Sequence, residues 1–152
     1  MTSNHFSNLL HDEVVTTSLN ASNKFQALQE LLELLVSSHD LSTRQLGSVR
    51  DTLFRQERSK SSGSSSGLAF VHAQVPGLTL PVAALGISSD GIDFGGPSSS
   101  SVVLLSLSPS GSKGSQADSF VEINSMQKDG KTVAAIAGCS RPEEIRKYFQ
   151  SH

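Results

Sequence analysis

Apolar residues recur at helical spacing over residues 22–38, where Phe25, Leu28, Leu31, Leu32 and Leu35 share one face and Glu30 and Glu33 turn away from it. Ser22 stands at the expected N-cap of this helix. A second helix is expected from Ser42, because Ser42-Thr43-Arg44-Gln45 has capping-box spacing. Its apolar positions Leu46, Val49 and Leu53 carry it toward Arg58. The pattern then dissolves into Ser59-Lys60-Ser61-Ser62-Gly63-Ser64-Ser65-Ser66-Gly67, a run that resembles a linker when taken alone. A short apolar strand follows over 68–75 and closes at Pro76-Gly77. Residues 80–87 and 92–94 flank Ser88-Ser89-Asp90-Gly91, a turn signature that predicts a hairpin. Gly95-Gly96-Pro97 breaks the chain, the stretch 98–101 reads as a serine loop, and 102–107 reads as a buried central strand. A Ser, Gly and Lys loop is expected over 108–115. The closing helix is announced by Ser140-Arg141-Pro142-Glu143, with Ser as cap, Pro at the first helical position and Ile145, Tyr148 and Phe149 as its buried face.

Helices, then strands, then helices predict an α/β layer structure with a mixed sheet of about five strands flanked by helices. Residues 1–152 are expected to form a single domain, with 1–12 as a loose N-terminal segment. A division at the serine run is the rival organisation, but neither half holds enough apolar residues for a core of its own. No repeat occurs at solenoid periods.

Composition narrows the function classes. With 36% hydrophobic and only 5% aromatic residues, the core should be aliphatic. Twelve basic and fourteen acidic side chains give a net charge of −2, which lacks the basic field of a nucleic-acid binder. No apolar run approaches a membrane span, so no direct membrane insertion is expected. The opening residues lack a secretory pattern, and the single Cys139 has no internal partner. A reducing cytoplasm is the expected location.

Five histidines are the candidates for chemistry. His5, His11, His39 and His152 lie near the ends or in polar surroundings and read as surface residues. No Cys/His cluster supports a metal site, and no nucleotide or hydrolase motif suggests a cofactor. His72 differs, because it sits inside an apolar strand directly after the Ser/Gly loop. Periodicity alone would make it a satisfied core histidine. The loop changes that reading: Gly63 and Gly67 permit unusual backbone angles, and Ser61, Ser62, Ser64, Ser65 and Ser66 bring hydroxyl donors near the imidazole. A transferring phosphoryl group carries its charge on peripheral oxygens and needs positioning and donors of this kind. Arg50, Arg55, Arg58 and Lys60 have a sufficient structural explanation as cations complementing the end of a helix dipole. Cys139 reads as a small buried residue.

The segment Ser61-Ser62-Gly63-Ser64-Ser65-Ser66-Gly67-Leu68-Ala69-Phe70-Val71-His72 resembles the phosphohistidine segment of mannitol/fructose-type enzyme IIA, of the bacterial phosphotransferase system. That family's usual pattern is S-T-G-x-G-N-G-I-A-x-P-H. The likeness runs in order from 14 to 149, through the helix over 25–36, Gly91-Ile92-Asp93-Phe94 and the closing helix. It implies an enzyme IIA fold and a phosphate loop at Ser61, Ser62, Gly63, Ser66 and Gly67. It also implies that Nε2 of His72 accepts phosphate from the carrier HPr or its nitrogen-branch counterpart. The family's Arg-Glu pair falls on Gln56 and Glu57, so Arg55 and Arg58 become candidates to stabilise phosphate in place of the missing arginine. Val71 replaces the family's proline, and Ser65 and Ser66 replace its glycine and asparagine. A second histidine that many members carry has no counterpart between 108 and 119.

The resemblance implies a phosphotransferase-type phosphocarrier without a cofactor, and its nitrogen-regulatory (Ntr) members are standalone domains. A regulatory phosphoacceptor is one reading, with a regulated target protein as its partner. A sugar-specific relay to a IIB protein is the second. A degenerate binding module that is never phosphorylated is the third.

Overall fold

The computed structural model describes residues 9–59, 67–95, 99–111, 123 and 131–150. The first long helix, α1 (Lys24–Ser37), begins one residue later than the sequence suggests. Asn23 is its cap, with Oδ1 accepting the Gln26 amide at 2.9 Å. Ser22 instead donates from its amide and hydroxyl to Gln26 Oε1. Because the helix starts at Lys24, Asn23 holds the cap position and its side chain meets the first-turn amide. The buried face of α1 is Ala27, Leu28, Leu31, Leu32 and Leu35, as its periodicity predicts. The second helix, α2 (Thr43–Ser59), carries the predicted capping box in reciprocal form. The Ser42 amide donates to Gln45 Oε1 at 3.1 Å, and the Gln45 amide donates to Ser42 Oγ at 3.3 Å.

A short 3-10 turn at Asp12–Val14 leads into strand β1 (Val15–Thr16). The longer strands are β2 (Leu68–Val75), β3 (Val82–Ile92) and β4 (Ser100–Pro109). Their order across the sheet is β1-β3-β4-β2. β1 is parallel to β3, β3 antiparallel to β4, and β4 parallel to β2. The mixed sheet is therefore as expected, but among the described residues it holds four strands and not about five. β4 has a neighbour on each side, and residues 102–108 are all buried. Burial on both faces explains why this strand reads as an apolar run without alternation. It also runs through Ser108 to Pro109, so the loop expected from 108 starts later.

The predicted hairpin at Ser88-Ser89-Asp90-Gly91 is not formed. Those residues lie within β3, whose pairing with β4 jumps from Ile87↔Val102 to Ile92↔Ser100. The ladder shifts register over this stretch, with Gly91 at φ +78. The chain reverses further on, where Asp93 Oδ1 accepts the Gly95 amide at 2.8 Å. Merging the two expected strands into one accounts for the lower strand count. Leu80, expected at the head of the first of them, is 71% exposed.

Two helices, α3 (Lys131–Ala137) and α4 (Pro142–Gln150), follow. Pro142 takes the first helical position as predicted. Ser140 falls one residue before the cap, and its hydroxyl donates to Glu144 Oε1 at 3.2 Å. A single aliphatic core runs from Leu10 through α1, the sheet and Val133 to Ile145. Each fully buried leucine or isoleucine in it contributes about 1.5–3 kcal/mol. The chain is thus one α/β domain. Within the N-terminal segment, Leu10 joins this core, and His11 Nε2 lies 2.9 Å from Asp40 Oδ2. No helix among the described residues is long and apolar enough to cross a membrane.

Candidate functional site

Strand alternation sorts β2 into two faces. Ala69, Val71, Ala73 and Val75 are all buried on one of them. Phe70, His72 and Gln74 occupy the other, with Gln74 exposed and the first two half-buried. The parallel register sets His72 beside Ser106 and Gln74 beside Ser108 on β4. Both serines are fully buried. The imidazole of His72 leans toward Ser108, with Nε2 at 3.0 Å from Oγ. Its ring centroid is 6.2 Å from that of Phe70, tilted by 33°. One nitrogen therefore meets a buried hydroxyl while the ring stays half-exposed. The contact fixes the orientation of the ring on the strand.

Gly67 introduces the strand. Its φ of +89 is one that side chains with a Cβ adopt at a cost. Its carbonyl accepts from the Ser101 amide at 2.9 Å and from Val102 at 3.2 Å, which ties the end of the serine loop to β4. The other expected loop residues, Ser61, Ser62, Gly63 and Ser66, lie outside the described residues, as does Lys60.

The α2 candidates are arranged differently. Arg55, Gln56 and Arg58 are exposed, while Glu57 is 3% exposed. Adjacent helical positions diverge in direction, and here the divergence sends each side chain to a different neighbour. Glu57 Oε2 lies 3.6 Å from Lys24 Nζ, which also donates to the Glu57 carbonyl at 3.2 Å. The Arg58 guanidinium sits 5.8 Å from the Phe25 ring centroid. Arg50 pairs loosely with Asp51 at 3.9 Å. These contacts form two groups: His72 with Phe70 and Ser108, and Glu57 and Arg58 with Lys24 and Phe25.

Lys24 and Ser108 are the residues that sequence reasoning missed. Lys24 sits at the head of α1, and nothing local marks it as the partner of Glu57. Ser108 falls where the sequence predicts the start of a loop, although serines at 106 and 108 keep the two-residue period of the strand. A groove of about 640 Å³ between α1 and α2 is lined by Phe25, Glu30, Glu33, Arg50 and Phe54 among others, and β2 takes no part in it. No group of three or more metal-ligating side chains occurs among the described residues.

The fold has clear relatives among solved structures. The nitrogen regulatory protein IIA-Ntr from Neisseria meningitidis overlays with a TM-score of 0.83 at 19% identity, covering 95% of this chain and 98% of that one. The complex of mannitol enzyme IIA with phosphorylated enzyme IIB from Escherichia coli gives 0.76 at 11% identity, covering 94% of this chain and 98% of that one. The crystal structure of mannitol IIA from Escherichia coli gives 0.74 at 13% identity, with 92% and 98% covered. No curated protein sequence matches the chain. The sequence profile of the phosphoenolpyruvate-dependent sugar phosphotransferase system, EIIA 2, matches residues 8–152. With nearly the whole length matched and the same fold throughout, the chain belongs to that EIIA 2 family.

Proposed function

We propose that this protein is a phosphoacceptor of the phosphotransferase system. His72 takes a phosphoryl group from phospho-HPr or its nitrogen-branch counterpart, and the phosphorylated form acts as an Ntr-type regulator in the cytoplasm. One observation carries the reading: in a chain of the EIIA 2 family, His72 is a half-exposed imidazole on the strand that follows the left-handed Gly67. Histidine suits the step because its ordinary pKa of about 6.5 leaves a neutral, nucleophilic nitrogen at pH 7. Adding a phosphoryl group places up to two negative charges beside Phe70, which alters docking to a regulated target by local charge. The substitutions at Ser65, Ser66 and Val71 around His72 favour the regulatory version, since a regulator tolerates slow transfer better than a transport relay does.

The second reading is a sugar-specific relay that hands the phosphoryl group to a IIB protein. It draws support from the mannitol IIA neighbour, which is solved in complex with phosphorylated IIB. A degenerate binding module is the third reading, and it would not be labelled at all.

The test is incubation with phosphoenolpyruvate, enzyme I and HPr or the nitrogen-branch carrier, followed by intact mass measurement. An acid-labile, alkali-stable adduct that disappears in His72→Ala supports the proposal. Labelling that persists in His72→Ala puts the acceptor elsewhere, and no labelling with cognate carriers leaves the binding module. A IIB protein that takes the phosphoryl group from the labelled chain would favour the relay.

A further inference from the structure

The hydroxyl of Ser108 faces one ring nitrogen of His72. Ser108 has no exposed surface, and its Oγ lies 3.0 Å from Nε2. Among the described residues that nitrogen is the hydroxyl's one partner. Two arrangements fit the distance. In the first, Nε2–H donates to Oγ, and the serine hydrogen is buried with no acceptor, a state that folded proteins avoid. In the second, Oγ–H donates to Nε2, both groups are satisfied, and the ring proton sits on Nδ1. Only the second gives the buried hydroxyl a partner for its hydrogen.

We infer that Ser108 is a positioning residue that holds His72 in the Nδ1–H tautomer, so that the Nε2 lone pair is the reactive position. The inference rests on the proposed reading of His72 as phosphoacceptor and adds the residue that selects its atom. In the transfer step an Nε2–P bond forms, and the bond from phosphorus to the donor's leaving group breaks. The leaving group keeps that electron pair, and Nδ1 keeps its proton. A phosphorus atom cannot fit in line between Nε2 and an oxygen 3.0 Å away. Ser108 is therefore not the next acceptor in a relay from His72. For a phosphoryl group to reach Nε2, the hydroxyl must first leave the lone pair by rotation about χ1.

Long-range 15N-resolved NMR on the unphosphorylated full chain at alkaline pH reads the two ring nitrogens directly. The wild-type chain should show Nδ1 protonated and Nε2 bare. Ser108→Ala should shift the tautomer ratio about tenfold toward Nε2–H, the factor that one hydrogen bond of ordinary net strength carries. Ser108→Thr should restore the ratio, and backbone amide spectra report that each variant is folded. In the carrier assay, Ser108→Ala should slow labelling by a similar factor without abolishing it. The tautomer measurement needs no carrier, so the two ideas fail separately. A wild-type ring protonated at Nε2, or a ratio unchanged in Ser108→Ala, overturns the role of Ser108 even where His72 is labelled. A ratio that depends on Ser108 in a chain that is never labelled keeps the positioning role and removes the acceptor reading.

Discussion

The Lys24 ammonium reaches across from the head of α1 to the end of α2 and meets Glu57 twice, at its carboxylate (3.6 Å) and at its carbonyl (3.2 Å). Glu57 is buried and Lys24 about one-fifth exposed, so the pair is only partly screened by solvent. The contact ties down the last turn of α2 just before the serine loop. Lys24→Met keeps the aliphatic stem but removes the charge from beside a buried carboxylate. Removing one partner of a fully buried pair costs about 3–5 kcal/mol, and the exposure and length of this contact reduce the expected loss to about 2 kcal/mol. Urea unfolding followed by circular dichroism measures it. A midpoint equal to that of the unaltered chain would show that Glu57 is held by its other contacts alone.

Gly67 lies at φ +89, and a Cβ built there would meet Ser101 Oγ at an ordinary 3.6 Å. The space is adequate; the backbone conformation is the obstacle. Gly67→Ala should therefore destabilise the chain by about 1–2 kcal/mol, the strain of placing an L-residue in the left-handed region. Gly67→Asn should recover part of the loss, because asparagine tolerates that region best among residues with a Cβ. Equal stability of the Ala variant and the unaltered chain in the same urea titration would show that the turn relaxes to another conformation.

Cys139 has its thiol pKa raised, first by burial and then by the negative charge of Glu144. Its Sγ–H donates to the Ala135 carbonyl at 3.4 Å. The thiolate is the form that reacts, so iodoacetamide should modify the folded chain more slowly than the urea-unfolded chain at the same alkaline pH. The sign carries through to stability. A thiol harder to ionise when folded supports the native state below the unfolded thiol's pKa, and that support is lost as pH rises through the folded value. Glu144→Gln should accelerate alkylation, but by less than unfolding does, since burial is the larger cause. Faster alkylation of the folded chain would mean an accessible, activated thiol and would contradict this account.

What the sequence reveals about this molecule divides along the range of the interactions. The leucine face of α1, the Ser42–Gln45 box and the β2 strand are settled by residues within a turn or two, and they form as their spacing predicts. Ser88-Ser89-Asp90-Gly91 has equally good local chemistry for a turn. There a long-range ladder between β3 and β4 overrides it, and β3 continues to Ile92 before Asp93 accepts the Gly95 amide. The site follows the same rule. His72 stands out because a loop of unusual composition precedes its strand. Ser108 lies 36 positions away and Lys24 lies 33 from Glu57, distances over which a single sequence carries no pairing signal. The apolar run ending at Leu107 further disguised Ser108, whose burial depends on having β2 beside it.

Gln56 is where this chain departs most consequentially from the arginine of the family pattern, and its surroundings suggest what restoring the arginine would do. The position is exposed on α2 next to the buried Glu57, while Arg58 is turned toward Phe25. Arg55 is exposed on the same helix. A guanidinium contributes planar, charge-assisted hydrogen bonds to phosphate oxygens that an amide cannot match. If His72 is the acceptor, Gln56→Arg should raise the rate of labelling by phospho-HPr about fivefold, the effect of a charge-assisted bond weakened by exposure. The same substitution should leave the urea midpoint within about 0.5 kcal/mol of the unaltered chain, as surface changes usually do. Quenched-flow labelling resolved by intact mass separates a change in rate from a change in final extent. An unchanged rate in a stably folded variant would mean that phosphate at His72 does not depend on a cation at position 56. Stabilisation would then fall to the serine loop, and the glutamine would be a neutral substitution without bearing on regulatory function.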